Sequence, residues 1–345
     1  MGALDGQVAV VAGATRGAGR GIAIELAAAG AKVYCTGRSV RGAVATAGRS
    51  ETIDETADMI VAAGGRAVAV RVDHTVEDEV AALAARVRAD EGRLDVLVND
   101  IWGGDDLIDW SGKFWTVDVA LVRKLMDQAV FSHLITARHL VPLMVEAKHG
   151  LIVEITDGEM PGYRGQLLYD LVKSSVIRIA YGMAWDLVGT GVTALALSPG
   201  FLRSEAMLDR FGVSEANWRD AVKTHADFVF SETPRFVGRA VTALASDPDV
   251  GAKGGMALWG GDLADEYGFD DVDGSRPNFW RNMDTWLEGE LAKGMLDDNA
   301  KWIAQARYMQ THLAPSRGEQ ARRYFEKLKL DGVGEGLKPV RRPLT

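Results

Sequence analysis

The sequence predicts a doubly wound α/β fold, a Rossmann-like parallel sheet of about seven strands. Three observations carry that expectation. Short Val/Ile/Leu-rich runs alternate with longer helical stretches. Most of the runs are continuously apolar, as strands covered on both faces are. The first run opens into a glycine-rich turn and then a helix.

Strands are expected at Val8–Ala12, Lys32–Thr36, Ala67–Val72, Val96–Asn99, Leu151–Thr156, Val192–Ser198 and Met256–Trp259. Helices are expected at Gly19–Ala29, Thr52–Ala63, Val76–Ala89, Val119–Glu146, Tyr169–Leu187 and Pro234–Ala245. Thr52 precedes Glu55, and Thr75 precedes Asp78, at capping-box spacing; Thr233 precedes Pro234 at a first helical position. Gly30 and Gly64 stand where helices terminate. The core pattern fades near Gly261, so 1–268 reads as one Rossmann-like domain. The remainder, 269–345, reads as a helical extension, for oligomerisation or as a lid. Its apolar residues Phe279, Trp280, Met283, Trp286 and Leu287 recur at helical spacing, as do Trp302, Ile303, Tyr308 and Met309.

A chain of 345 residues with 47% hydrophobic content is long enough for a large core. The net charge of −9, without a block of Lys and Arg, argues against a nucleic-acid partner, because phosphate binding needs concentrated positive charge. The single cysteine, Cys35, excludes an intramolecular disulfide and reads as a packed thiol. No apolar run reaches membrane-spanning length. The strand pattern begins too early for a signal peptide, which makes the cytoplasm the expected location. The histidines are scattered and form no metal-ligand motif, so no metal is expected.

The opening unit runs Val8-Ala9-Val10-Val11-Ala12-Gly13-Ala14-Thr15-Arg16-Gly17-Ala18-Gly19. Glycines let a backbone turn tightly against a pyrophosphate, and the helix that follows offers unpaired N–H groups and the positive end of its dipole. Gly13, Thr15, Arg16, Gly17, Ala18 and Gly19 are therefore candidate dinucleotide ligands. An NAD enzyme places an acid after its second strand. Here the segment is Thr36-Gly37-Arg38-Ser39, with no acid and with a guanidinium within reach of a 2′-phosphate; Arg16 adds another cation. NADP(H) is favoured over NAD(H), with Arg38 and Ser39 as candidate contacts.

These motifs resemble the fingerprint of the short-chain dehydrogenases/reductases, over about Gly6 to Gly261. The resemblance implies that Asp73, with His74 beside it, lies at the adenine; that Asn99 matches the first residue of the family's Asn-Asn-Ala-Gly element; and that Pro199, Gly200 and Leu202 hold the nicotinamide end, with Ser204 near the usual Thr. Leu263-Ala264, Tyr267-Gly268 and Asp271-Val272-Asp273-Gly274, with the Trp-rich tail, look most like the subgroup typified by dehydrogenase/reductase family member 1. The resemblance also implies a small-molecule substrate and a homodimer or homotetramer.

Tyr169 and Lys173 stand four apart, on one face of an expected helix. A free phenol has a pKa near 10, and a neighbouring ammonium favours its ionised form. By resemblance, Tyr169 donates a proton to a substrate carbonyl as hydride arrives, and Lys173 holds the ribose hydroxyls and tunes the phenol. The family's Ser at the end of the fifth strand is missing: strand alignment puts Asp157 there, and counting back from Tyr169 puts Thr156 there. The Asn expected on the fourth helix is also missing, with Ala129 at its place and Gln128 adjacent. Asp157, Glu159, Asp105, Asp106 and Asp109 read first as acids on solvated loop edges; the other reading is an acidic pocket suited to an amine or imine. The alternatives are a cofactor-binding homologue that has lost redox chemistry, and a non-redox epimerase or cyclase.

Overall fold

The computed structural model describes residues 2–158, 164, 166–282 and 285. Its strands are β1 (Val8–Ala12), β2 (Lys32–Gly37), β3 (Arg66–Arg71), β4 (Val96–Asn99), β5 (Gly150–Ile155), β6 (Val192–Ser198) and β7 (Ala257–Trp259). They form one seven-stranded sheet in the order β3-β2-β1-β4-β5-β6-β7. Every neighbouring pair is parallel. The helices are α1 (Gly17–Ala28), α2 (Ile53–Ala62), α3 (Glu77–Glu91), α4 (Val119–Met126), α5 (Ser132–Ala147), α6 (Leu167–Asp186), α7 (Glu205–Phe211), α8 (Pro234–Ser246) and α9 (Gly260–Tyr267).

The two-residue alternation of strand side chains explains why both sheet faces are apolar. Ala9 and Val11 of β1 pack with Ile22 and Leu26 of α1 and Val237 and Val241 of α8. Val8 and Val10 point the other way, toward Val80 and Leu83 of α3 and Leu140 and Leu143 of α5. Full burial of one such Leu or Val side chain contributes about 1.5–3 kcal/mol. Helices α1 and α8 cross where Gly21 and Gly238 meet: a Cβ on Gly21 would lie 2.0 Å from the Pro234 carbonyl oxygen. Any larger residue there would force the two helices apart.

The strand order reverses between β1 and β4, which both lie at the centre of the sheet, so a crevice opens at their carboxyl ends. The expected strands are all present, with edges displaced by at most a residue or two. Thr52 caps α2 by accepting from the Glu55 N–H. Gly30 and Gly64 follow the last turns of α1 and α2, both at positive φ (106° and 85°). Thr75 is not a cap, contrary to the sequence expectation. Val76 holds that position, while Thr75 donates its N–H and hydroxyl to Asp73, whose short side chain closes its own turn. Thr233 does hold the N-cap position of α8 with Pro234 next to it, as expected, although its hydroxyl goes to Asp271 rather than to the helix.

The long helix expected at Val119–Glu146 is interrupted by a π-turn over Asp127–Phe131. Such a bulge is a single widened turn within an otherwise continuous helix, where the sequence predicts one unbroken helix. The tail residues Met283, Trp286, Leu287, Trp302, Ile303, Tyr308 and Met309 lie outside the described residues, as does the expected extension 269–345 apart from 269–282 and 285. Among the described residues no helix is long and apolar enough to cross a membrane.

Candidate active site

The crevice is a cavity of about 760 Å³. Gly13, Thr15, Arg16, Gly17, Ala18, Arg38, Ser39, Asp73, His74, Thr156, Asp157, Tyr169, Lys173, Pro199, Gly200 and Leu202 all line it. Gly19 and Asn99 do not, although both were expected at the cofactor. Gly19 backs the turn, since a Cβ there would lie 2.4 Å from the Gly13 carbonyl oxygen. Asn99 is fully buried below the crevice.

The turn between β1 and α1 is shaped by glycine. Gly13 has φ +95°, and a Cβ on it would sit 2.2 Å from the Asp100 carbonyl oxygen; Gly17 has φ +56°. Gly17 N–H donates 2.8 Å to Glu205 of α7, so a carboxylate already occupies one donor of this helix N-terminus. The residues fit a dinucleotide. Gly13 and Gly17 leave the backbone of the turn open to a close approach, its N–H groups attract an anion, and the lining of the cavity includes both Arg38 and Lys173.

Beside the ends of β2 and β3, Arg38 lies 4.0 Å from Asp73. Ser39 accepts from the Ala45 N–H at 3.0 Å and so shapes its own loop. The His74 ring is turned inward between Thr36 and Thr136, 2.8 Å from each. Burial drives its pKa down to about 3, which keeps the ring neutral.

Helix α6 carries Tyr169 and Lys173 one turn apart. Gln166 starts this helix, its side-chain oxygen accepting from the Leu168 and Tyr169 N–H groups. The Tyr169 ring lies between Trp102 (5.6 Å) and Trp110 (5.1 Å). Its hydroxyl donates to Asp157 Oδ2 at 2.6 Å. Arg164 Nη2 holds both oxygens of the same carboxylate, at 3.0 and 2.9 Å, and the guanidinium stacks 4.4 Å above Trp280. Of the two residues left open by the sequence, Asp157 therefore meets the phenol. Thr156 instead donates its hydroxyl to the Lys173 carbonyl at 2.8 Å.

The charges follow from these contacts. Burial opposes ionisation of Asp157, but Arg164, the phenol's hydrogen bond and Lys173 outweigh it and hold the carboxyl below its usual range. Burial and the adjacent carboxylate raise Tyr169 well above the ordinary phenol value. Burial lowers Lys173, which lies 4.3 Å over the Trp102 ring. Asp100, which follows Asn99, is raised to about 7, chiefly by burial, with Lys173 pulling the other way.

Sequence reasoning missed several residues here. Glu154 of β5 is fully buried and accepts from Asn99 Nδ2 at 2.7 Å. It also pairs with His133 Nδ1, while the other ring nitrogen of His133 meets the Ile101 carbonyl at 2.9 Å. Burial lowers the His133 pKa, but Glu154 more than reverses this, and the net shift is upward. Gln128, in the π-turn, lines the cavity and donates 2.8 Å to the Gly103 carbonyl. Glu154 did carry a signal, as an acid inside an apolar strand; Arg164 and Glu205 carried none. Among the described residues no cluster of His, Cys, Asp or Glu could hold a metal ion.

Residues 7–211 match the family model for short chain dehydrogenase. Dehydrogenase/reductase SDR family member 1 of Mus musculus is 36% identical over 276 residues, 79% of this chain and 85% of that protein. The crystal structure of a metagenomic short-chain oxidoreductase in complex with NADP aligns at TM-score 0.55 and 27% identity, over 72% of this chain and 94% of that one. A 7 alpha-hydroxysteroid dehydrogenase complexed with NADH and 7-oxo glycochenodeoxycholic acid has the same fold (TM-score 0.59, 24% identity, 74% and 93% covered). The fold, the glycine turn and these likenesses agree: this chain belongs to the short-chain dehydrogenase/reductase family of oxidoreductases, in the subgroup of family member 1.

Proposed function

We propose that the protein interconverts a carbonyl and an alcohol on a small organic substrate, with NADP(H) as the preferred cofactor. One observation carries this reading: Tyr169 and Lys173 line the same cavity as the glycine turn. A bound nicotinamide dinucleotide supplies or accepts the hydride. Gly13, Thr15, Arg16, Gly17 and Ala18 hold its pyrophosphate, with Gly19 setting the turn. Asp73 serves the adenine and Lys173 the ribose, while Pro199, Gly200 and Leu202 flank the nicotinamide. Tyr169 exchanges a proton with the substrate oxygen.

The preference for NADP(H) rests on Arg38 at the end of β2, where an NAD site has an acid. Its guanidinium now leans on Asp73, a weak partly exposed pair that a 2′-phosphate can displace. The substrate end of the cavity is walled by Trp102, Trp110, Phe201, Phe279 and Trp280, which suit a flat apolar molecule. Arg164 neutralises Asp157, so the acidic pocket that would favour an amine or imine loses its strongest member. We assign a neutral carbonyl or alcohol instead. Exposed Phe131, Leu134 and Leu171 on and beside α5 and α6 support pairing of these helices with a second copy.

The test is NADPH consumption over a panel of aryl ketones and aldehydes. Turnover in the wild type that vanishes in Tyr169→Phe supports the reading; equal turnover in both refutes it. The engagement of the phenol by Asp157 favours one rival, a cofactor-binding homologue without redox chemistry. NADPH binding with no turnover on any carbonyl or alcohol would point there.

A further inference from the structure

Resting on that reading, we propose that Asp157 is the terminal proton acceptor of this site, and that Tyr169 and Asp157 form a two-step relay drawing a proton out of a substrate hydroxyl. The argument starts from the direction of one proton. Tyr169 Oη lies 2.6 Å from Asp157 Oδ2. Asp157 is held ionised by Arg164, which cannot give up its own proton. The phenol must therefore be the donor in this bond. Its remaining lone pairs face the cavity as acceptors, and an acceptor recognises a hydroxyl, not a carbonyl.

Other exits for the proton are closed. The Thr156 hydroxyl is buried and spent on the Lys173 carbonyl. The Gln128 amide is spent on Gly103. Lys173 makes no hydrogen bond to the described residues and approaches the Trp102 and Tyr169 rings instead. Among the described residues, Asp157 is the one group that accepts a hydrogen bond from the phenol.

Charge gives the relay a direction. The resting pair carries one negative charge, balanced by Arg164. Accepting a proton makes the pair neutral; giving one up would leave phenolate and carboxylate side by side. The charged groups around the pair are Arg164 and Asp170, whose carboxylate takes the Arg164 N–H at 2.8 Å, together with Lys173, Asp105 and Asp100. In alcohol oxidation the substrate C–H bond breaks, its electron pair passing as hydride to an oxidised nicotinamide dinucleotide. The O–H bond breaks as well, its proton going to Tyr169 Oη while the phenol proton moves to Asp157 Oδ2. The carbonyl product leaves, and Asp157 returns its proton to water. Carbonyl reduction runs the same path backwards and requires Asp157 to be protonated first. The site is thus set for oxidation in its resting state, and its reductive activity rises as pH falls.

The first test needs no substrate. Ultraviolet titration of each protein, minus the same protein carrying Tyr169→Phe, isolates this one phenol among the seven tyrosines. Asp157→Asn should lower the pH at which it ionises, and Arg164→Met should raise it. A purely structural role would move both variants the same way, or neither, and would overturn the proposal. The second test is turnover of secondary aryl alcohols with NADP⁺. Asp157→Asn should reduce kcat about a hundredfold with KM little changed, and Asp157→Glu should restore part of it. NADPH binding, read by fluorescence, should be unchanged in both. Full oxidation by Asp157→Asn in a protein whose Tyr169→Phe variant is dead would sink the relay and leave the functional reading standing. Unchanged turnover in Tyr169→Phe would sink both.

Discussion

The glycine turn can be tested with one methyl group. Gly13→Ala adds a Cβ 2.2 Å from the Asp100 carbonyl oxygen and 2.7 Å from its carbon, at φ +95°. An ordinary C···O contact is about 3.3–3.6 Å, so the turn or the end of β4 has to move by roughly 1 Å. The positive φ alone costs about 1–2 kcal/mol for a residue with a Cβ. With the clash added, the loss of stability should be about 2–4 kcal/mol. A displacement of that size in a preorganised site costs on the order of a hundredfold, and NADPH should bind that much more weakly. Gly64→Ala is the control: its φ is +85°, a Cβ there meets nothing within 4 Å, and it lies after α2, away from the cavity. It carries the backbone strain without the clash. The assays are urea unfolding and NADPH titration by fluorescence. If Gly13→Ala binds NADPH like the wild type and is no less stable than Gly64→Ala, the cradle argument is wrong.

Other outcomes follow from single contacts. Arg38→Ala should weaken NADPH tenfold to about a hundredfold while leaving NADH little changed, since a charge-assisted contact is worth about 1.5–3 kcal/mol; calorimetric titration of both nucleotides reads the ratio. Asp100, raised to about 7, should take up a proton when the anionic cofactor binds. NADPH affinity then falls as pH rises past 7, by up to about tenfold per pH unit, and Asp100→Asn removes that slope. His133 has a raised pKa in the folded protein. Its pairing with Glu154 therefore stabilises fully below the unfolded value, near 6.5, and the contribution is lost as pH rises through the folded value. Glu154→Gln should cost about 3 kcal/mol near pH 6, with the gap to wild type narrowing at alkaline pH in urea unfolding.

The parts of the molecule legible in the sequence are those with local causes. Val8–Ala12, Val96–Asn99 and Val192–Ser198 are apolar runs bounded by polar residues or glycine, and their limits agree with the structure. The glycine turn and the Tyr169–Lys173 spacing are likewise contiguous patterns. Short α7 and α9 escaped because seven or eight residues do not establish a period. The site's electrostatics were hidden for a different reason. Asn99 and Glu154 are partners in the β4–β5 register, so their bond exists only once the sheet is assembled. Arg164 and Asp157, seven positions apart between β5 and α6, meet through no helical or strand period that a sequence pattern could display. The choice between Thr156 and Asp157 depended on which way each side chain leaves the end of β5, and spacing alone does not contain that.

A crystal structure of the protein soaked with NADPH addresses the central claim most directly. The account predicts the pyrophosphate on the Gly13–Gly19 turn, the 2′-phosphate at Arg38 and the nicotinamide facing the Tyr169 hydroxyl. Density for the nucleotide elsewhere, or a nicotinamide ring remote from that hydroxyl, would contradict it.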